Sequence, residues 1–158
     1  MQYLIKRGYS LTRHYDLNMK EGVYLTKNQK TESPQHAFLV WAILKYLKEQ
    51  NFPVWNYKTI KPDIIFEVKN RKIAIEVETG KNLRNNRRQF LEKVRLLYEN
   101  FGYNWFFVVT NQHFVKKYRK LGKTVDMRYL ANYLKKMLKL ETPKVDSNKH
   151  SSSNKSHK

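Results

Sequence analysis

The sequence predicts an α/β domain, a central mixed sheet flanked by helices, and three observations carry that expectation. Stretches with apolar residues near a 3.6 period alternate with short β-branched runs, the pattern of helices interleaved with strands. The run Trp105-Phe106-Phe107-Val108-Val109-Thr110 is apolar almost throughout, as in a strand covered on both faces. At 158 residues, 41% hydrophobic and 14% aromatic, the chain is long and apolar enough to bury one substantial core.

The elements follow in order. Residues 1–32 read as an N-terminal extension in which Tyr3-Leu4-Ile5 and Gly22-Val23-Tyr24-Leu25-Thr26 have the look of short strands. Ser33-Pro34 opens a helix, because Ser is a good N-cap and Pro suits the first helical position. Phe38, Trp41, Ala42, Leu44 and Leu47 set its apolar side, and Asn51-Phe52-Pro53 stops it. Strands are expected over Val54–Tyr57, Asp63–Val68 and Lys72–Thr79, the last two joined by a tight turn at Asn70, with Gly80 breaking the pattern. A helix over Arg84–Tyr98 puts Phe90, Val94, Leu97 and Tyr98 on one side. After the Trp105–Thr110 strand come a short basic helix, His113–Lys120, and a last helix, Met127–Leu140, with Leu130, Tyr133, Leu134, Met137 and Leu138 inward. From Glu141 the chain is a Ser/Asn/Lys/His tract, too polar to offset its ordering entropy, and is expected to be a disordered basic tail. The folded domain is therefore expected over 33–140.

Charge narrows the partners. The net charge of +19 and pI near 10.0 favour a polyanion. No apolar run approaches the roughly 18 residues of a membrane span, and the N-terminus is a poor signal peptide, so a cytoplasmic protein without a membrane partner is expected. With no cysteine there is neither a disulfide framework nor a thiolate metal site.

The chemically specific stretch is Pro62-Asp63-Ile64-Ile65-Phe66 followed by Ile73-Ala74-Ile75-Glu76-Val77-Glu78-Thr79-Gly80-Lys81. Strand alternation puts Ala74, Glu76 and Glu78 on one face. The chain has only 13 acidic residues, yet Asp63, Glu76 and Glu78 fall in one hairpin. At an effective dielectric near 20, two unit charges about 6.5 Å apart repel by roughly 2.5 kcal/mol. A divalent cation between them relieves that cost most simply, and hard oxygen ligands select Mg²⁺ or Mn²⁺. The competing reading is an exposed amphipathic strand whose glutamates pair with lysines.

Pro62-Asp63, twelve intervening residues and Glu76-x-Glu78 resemble the PD-(D/E)xK nuclease superfamily, also called restriction-endonuclease-like. That family's core runs helix, three strands, helix, strand, the order read here over residues 34 to 110. The resemblance implies Mg²⁺-dependent hydrolysis of DNA phosphodiester bonds, with Asp63 and Glu76 as metal ligands and the Val77 carbonyl as a third. The family's lysine stands two residues after Glu76, a position held here by Glu78. Some members carry Glu there and others bring the lysine from a nearby element. Lys81, just past the strand, and Lys93, on the next helix, are the available replacements. The first helix of such folds often lends a polar residue, which makes His36 a candidate to position water or phosphate.

Between Lys81 and Lys139 the chain carries fifteen Lys or Arg against three acids. Arg84, Arg87 and Arg88 follow the acidic strand at helical spacing, and Lys116, Lys117, Arg119 and Lys120 form a second cluster; all are expected to contact phosphate. The function expected is a metal-dependent DNA endonuclease acting on plasmid, viral or recombination-intermediate DNA, with a homodimer suited to cutting both strands. The alternatives are a non-catalytic DNA-binding accessory protein on the same fold, and a basic RNA-binding protein in which Asp63 and Glu76 have no role.

Overall fold

The structure is a computed structural model that describes residues 2–27, 32–56 and 62–141. Tyr57, the end of one expected strand, and the tail from 142 onward lie outside the described residues. The N-terminal extension begins with a short helix, α1 (Gln2–Lys6), where a strand was expected at Tyr3-Leu4-Ile5. Three apolar residues are too few to separate a helical period from an extended one. Two strands, β1 (Tyr9–Tyr15) and β2 (Glu21–Lys27), then pair antiparallel over their full length as a separate ribbon.

The cap chemistry works as the sequence implies. Ser33 Oγ accepts the His36 N–H at 3.2 Å, Pro34 takes the first helical position, and α2 runs Pro34–Glu49. Phe38, Leu39, Ala42, Ile43 and Leu47 are its buried face, whereas Trp41 is 48% exposed and leans on Tyr24 and Phe38 of the ribbon junction. Next come β3 (Val54–Asn56), β4 (Ile64–Val68) and β5 (Arg71–Glu78). The β4–β5 connection is two residues, Lys69 and Asn70, with φ of 47° and 61°. Two consecutive left-handed residues are what a twisted hairpin with a two-residue loop requires.

The helical stretch after β5 is broken at Asn86 into α3 (Lys81–Asn85) and α4 (Arg87–Phe101). Then follow β6 (Trp105–Val109), α5 (Gln112–Tyr118), β7 (Thr124–Asp126), a 3₁₀ turn at Met127–Tyr129 and α6 (Leu130–Glu141). The expected order of helix, three strands, helix and strand over 34–110 is present. The short β7 strand was not anticipated, because three residues carry no readable alternation.

The main sheet has the order β3-β4-β5-β6-β7, antiparallel through β5 and parallel from β5 to β7. Helices α2 and α6 cover one face, where Ile64, Phe66, Ile73, Ile75, Phe106 and Val108 point. Helices α4 and α5 cover the other, which receives Ile65, Ala74, Trp105, Phe107 and Val109. Central β5 and β6 are therefore sealed on both sides, and every residue of β6 is buried. Among the described residues no helix is long and apolar enough to cross a membrane.

Phe107 is wholly buried, and its ring centroid lies 5.0–5.8 Å from those of Trp105, Tyr118 and Phe90. Phe107→Ala should cost about 3–5 kcal/mol by urea denaturation, the range for deleting a core aromatic ring. Tyr103→Ala, at a residue 92% exposed, should change stability by about 0.5 kcal/mol or less.

Candidate functional site

The site lies where β4 and β5 part. Their ladder ends at the Ile64–Ile75 pair. Two residues further on, the Val77 N–H donates instead to Asp63 Oδ2 at 2.8 Å. In an antiparallel strand a residue's N–H and C=O face the same neighbour, so the Val77 carbonyl faces the same gap. The Glu78 carbonyl points the other way and accepts the Thr110 N–H, just past the end of β6, at 3.1 Å. The opening is thus at the carboxyl end of the parallel strands, where open α/β sheets form crevices.

Three elements deliver side chains to this opening. From α2, one turn past its cap, His36 brings Nε2 to 3.3 Å from Asp63 Oδ2, with Glu32 Oε2 at 3.7 Å from Nδ1. From β5, Glu76 and Glu78 face the α4–α5 layer and are only 2% and 1% exposed, which rules out the exposed amphipathic strand. From α4, Lys93 donates to Glu76 Oε1 in a short charge-assisted contact. Glu76 Oε2 is buried and has no hydrogen-bond partner among the described residues.

Glu78 is held differently. Asn82 Nδ2, from α3, donates to its Oε1 at 3.2 Å, and the Tyr118 hydroxyl, from α5, donates to its Oε2 at 3.0 Å. Neither partner is evident in the sequence. Asn82 is an ordinary helix-surface residue four positions on, and Tyr118 lies forty positions away on a helix that reads as basic and exposed.

Electrostatics follow from this crowding. Burial, and then the Asp63 charge, push the Glu76 carboxyl well above the usual carboxylate range despite Lys93. Glu78 is also raised, chiefly by burial, which outweighs its hydrogen bonds to Asn82 and Tyr118. Burial alone would lower the Lys93 ammonium, but Glu76, Asp63 and Glu78 outweigh it and hold Lys93 above its ordinary value. Tyr118 is raised by burial and by the charge of Glu78, so it remains a hydroxyl donor. His36 is likewise raised: burial opposes its charge, and Asp63, Glu32 and Glu78 together overcome that.

Hard oxygen donors suit Mg²⁺ or Mn²⁺, and an unpartnered carboxylate oxygen in a buried site is what a cation satisfies. Asp63, Glu76 and the Val77 carbonyl are the residues that could supply such donors. Among the described residues no three Asp, Glu or His side chains stand close enough to hold one ion by themselves. Mg²⁺ could still be held here, because it commonly binds through one or two carboxylates and keeps several waters.

The other expected site residues divide clearly. Lys93, not Lys81, contacts the carboxylates. Lys81 opens α3 and lines a neighbouring cavity with Arg84, Arg87 and Lys117. Arg88, Lys116, Arg119 and Lys120 are exposed on α4, α5 and the end of α5, outside that cavity. His113 sits exposed in the first turn of α5, away from the acids. No family model matches the chain, and no curated protein matches it in sequence.

The His36–Asp63 contact carries a pH signature. A raised imidazole pKa contributes stability that is complete below the ordinary value of 6.5 and disappears as pH rises through the folded value. In metal-free protein, the melting-temperature advantage of wild type over His36→Gln should be larger at about pH 5.5 than at about pH 8.5. An advantage that grows with pH would mean that the imidazole is not charged in the folded protein.

Proposed function

We propose that this chain is a metal-dependent DNA endonuclease. The observation that carries the reading is the buried Oε2 of Glu76, without a hydrogen-bond partner among the described residues, on the strand that meets Asp63 and Lys93 where β4 and β5 diverge. Asp63, Glu76 and the Val77 carbonyl would hold Mg²⁺ or Mn²⁺, which when bound polarises a phosphate oxygen and lowers the pKa of a coordinated water. Asp63 is preset for that task, because the Val77 N–H and His36 fix its carboxylate from two directions. Lys93 stays charged and stands beside Glu76, where it can stabilise negative charge on the attacking water or the phosphate. His36 acts through Asp63 rather than on substrate. Glu78 has both oxygens engaged and is a brace, not a free base.

The exposed Arg84, Arg87, Arg88, Lys116, Lys117, Arg119 and Lys120 supply phosphate contacts on the α4–α5 side. They fit a DNA partner, and cleavage of both strands would need a second site and hence a homodimer in the cytoplasm. One observation favours a second reading, a DNA-binding accessory protein without catalysis: Lys93 already neutralises Glu76, as a closed ion pair does where no metal enters.

Mg²⁺-dependent nicking of supercoiled plasmid separates the two. Asp63→Ala and Glu76→Ala should abolish nicking while DNA binding is kept or strengthened, because each removes negative charge near phosphate. Lys93→Ala should lower the rate by about 10²–10³, the loss typical for one transition-state charge stabiliser. Absence of nicking by wild type, or full activity in both carboxylate variants, would overturn the nuclease reading.

DNA binding itself should be electrostatic. If about 6–10 phosphates are neutralised, affinity should fall by about 10³–10⁵ between roughly 50 and 200 mM salt, read by fluorescence anisotropy. A nearly flat dependence would remove DNA from the reading.

A further inference from the structure

A cavity of about 320 Å³ opens immediately after the acidic strand, ringed by Lys81, Arg84, Arg87 and Lys117, with Gly80 and Phe114 in its wall. No carboxylate lines it, and none of the four cations forms an ion pair among the described residues. Its size is at the small end of ligand pockets, about right for one nucleotide and not for a duplex. Four cations lining so small a space are more than one internal phosphodiester asks for. A phosphomonoester carries roughly −1.5 to −2 near neutral pH and accepts hydrogen bonds through three oxygens.

The cavity is also built into the site. One wall, α3, is tied down by Asn82 Nδ2 on Glu78 Oε1. The other wall, α5, is tied down by the Tyr118 hydroxyl on Glu78 Oε2. Gly80 closes the seam: its φ is +87°, and a Cβ there would fall 2.5 Å from the Phe114 ring. Phe114 in turn meets Tyr118 edge-on at 6.5 Å between centroids. A single buried carboxylate therefore sets the spacing of the two cationic walls.

We propose that this cavity binds the terminal phosphomonoester of a nucleic-acid strand, and that Glu78, through Asn82 and Tyr118, is the positioning residue that shapes it. The proposal deepens the nuclease reading and rests on it only for its purpose, which is to anchor a strand end beside Asp63 and Glu76.

The test is binding without cleavage, in chelator, using single-stranded oligonucleotides that end in a 5′-phosphate, a 3′-phosphate or hydroxyls and carry the dye internally. Wild type should prefer one phosphate-ended strand over the hydroxyl-ended one by about tenfold, the scale of one added charge-assisted contact. That ratio should fall to about one in Arg84→Ala and Lys117→Ala. Tyr118→Phe, which keeps the ring and loses only the hydroxyl on Glu78, should also reduce the ratio while far-UV circular dichroism and hydroxyl-end affinity stay unchanged. Equal affinity of wild type for all three strands would overturn the proposal. So would displacement of the phosphate-ended strand by a deoxynucleoside monophosphate or inorganic phosphate at comparable concentration, which would make a free anion the ligand. The two readings fail separately. An end preference that persists in a chain that never nicks plasmid retains the cavity and removes the nuclease, and nicking without any end preference does the reverse.

Discussion

Two carboxylates buried on the central strand are the constraint around which the α4–α5 half of the molecule is organised. Removing an ionised carboxylate from water costs several kcal/mol even after a protein relaxes around it. Glu76 and Glu78 sit two residues apart on β5, each almost inaccessible, so the cost arises twice on one face. Compensation comes from every element that packs there: Lys93 from α4, Asn82 from α3 and Tyr118 from α5. It is unequal. Glu78 has a donor on each oxygen, whereas Glu76 has one cation and an oxygen left over. For stability alone, well-packed apolar residues of similar size often serve as well or better. Retaining both, with one incompletely satisfied, is what the proposed site asks for.

The geometry also separates roles that the linear motif leaves merged. Where the PD-(D/E)xK pattern would place a lysine on the strand, this chain places the acid Glu78 and brings the ammonium from a helix on the same face. Glu78, Glu76 and Asp63 together keep Lys93 charged although it is largely buried. Compared with a Glu-x-Lys strand, this face therefore carries one more carboxylate, Glu78, beside a single ammonium supplied by α4.

Much of this was legible in the sequence because the relevant signals are local. Ser33-Pro34 specifies a helix start through contacts within one turn, and the apolar run at 105–110 reads as a strand sealed on both faces, which β6 is. The face shared by Ala74, Glu76 and Glu78 follows from strand pleating alone. What escaped was either too short or too distant. Tyr3-Leu4-Ile5 is a helix and Thr124–Asp126 a strand, and neither is long enough to display a period. β1 turns its polar Ser10, Thr12 and His14 toward α2 and leaves Leu11 and Tyr15 exposed, an inversion that hides a strand from any hydrophobic pattern. Trp41 follows the helical period yet stays half in solvent, since the ribbon covers only part of it. Tyr118 reaches Glu78 across forty residues of chain, and no spacing rule spans that distance.

The β1–β2 ribbon has a consequence for how the molecule opens. Among the described residues its strands pair only with each other and share no hydrogen-bond ladder with the main sheet. It is fastened to α2 mainly by aromatic contacts, with His14 stacked on Phe38 at 4.5 Å and Tyr24 against Phe38 at 4.4 Å, and by Leu17 reaching the core. β6, by contrast, has a paired strand on each side and helices above and below. Amide protons of the ribbon should therefore exchange with solvent through a local detachment that leaves β5 and β6 untouched, while those of β6 should wait for the whole domain to unfold. The N-terminal ribbon and the main-sheet core should therefore behave as two cooperative units joined by the ring cluster and Leu17, with hydrogen-exchange protection falling at that junction.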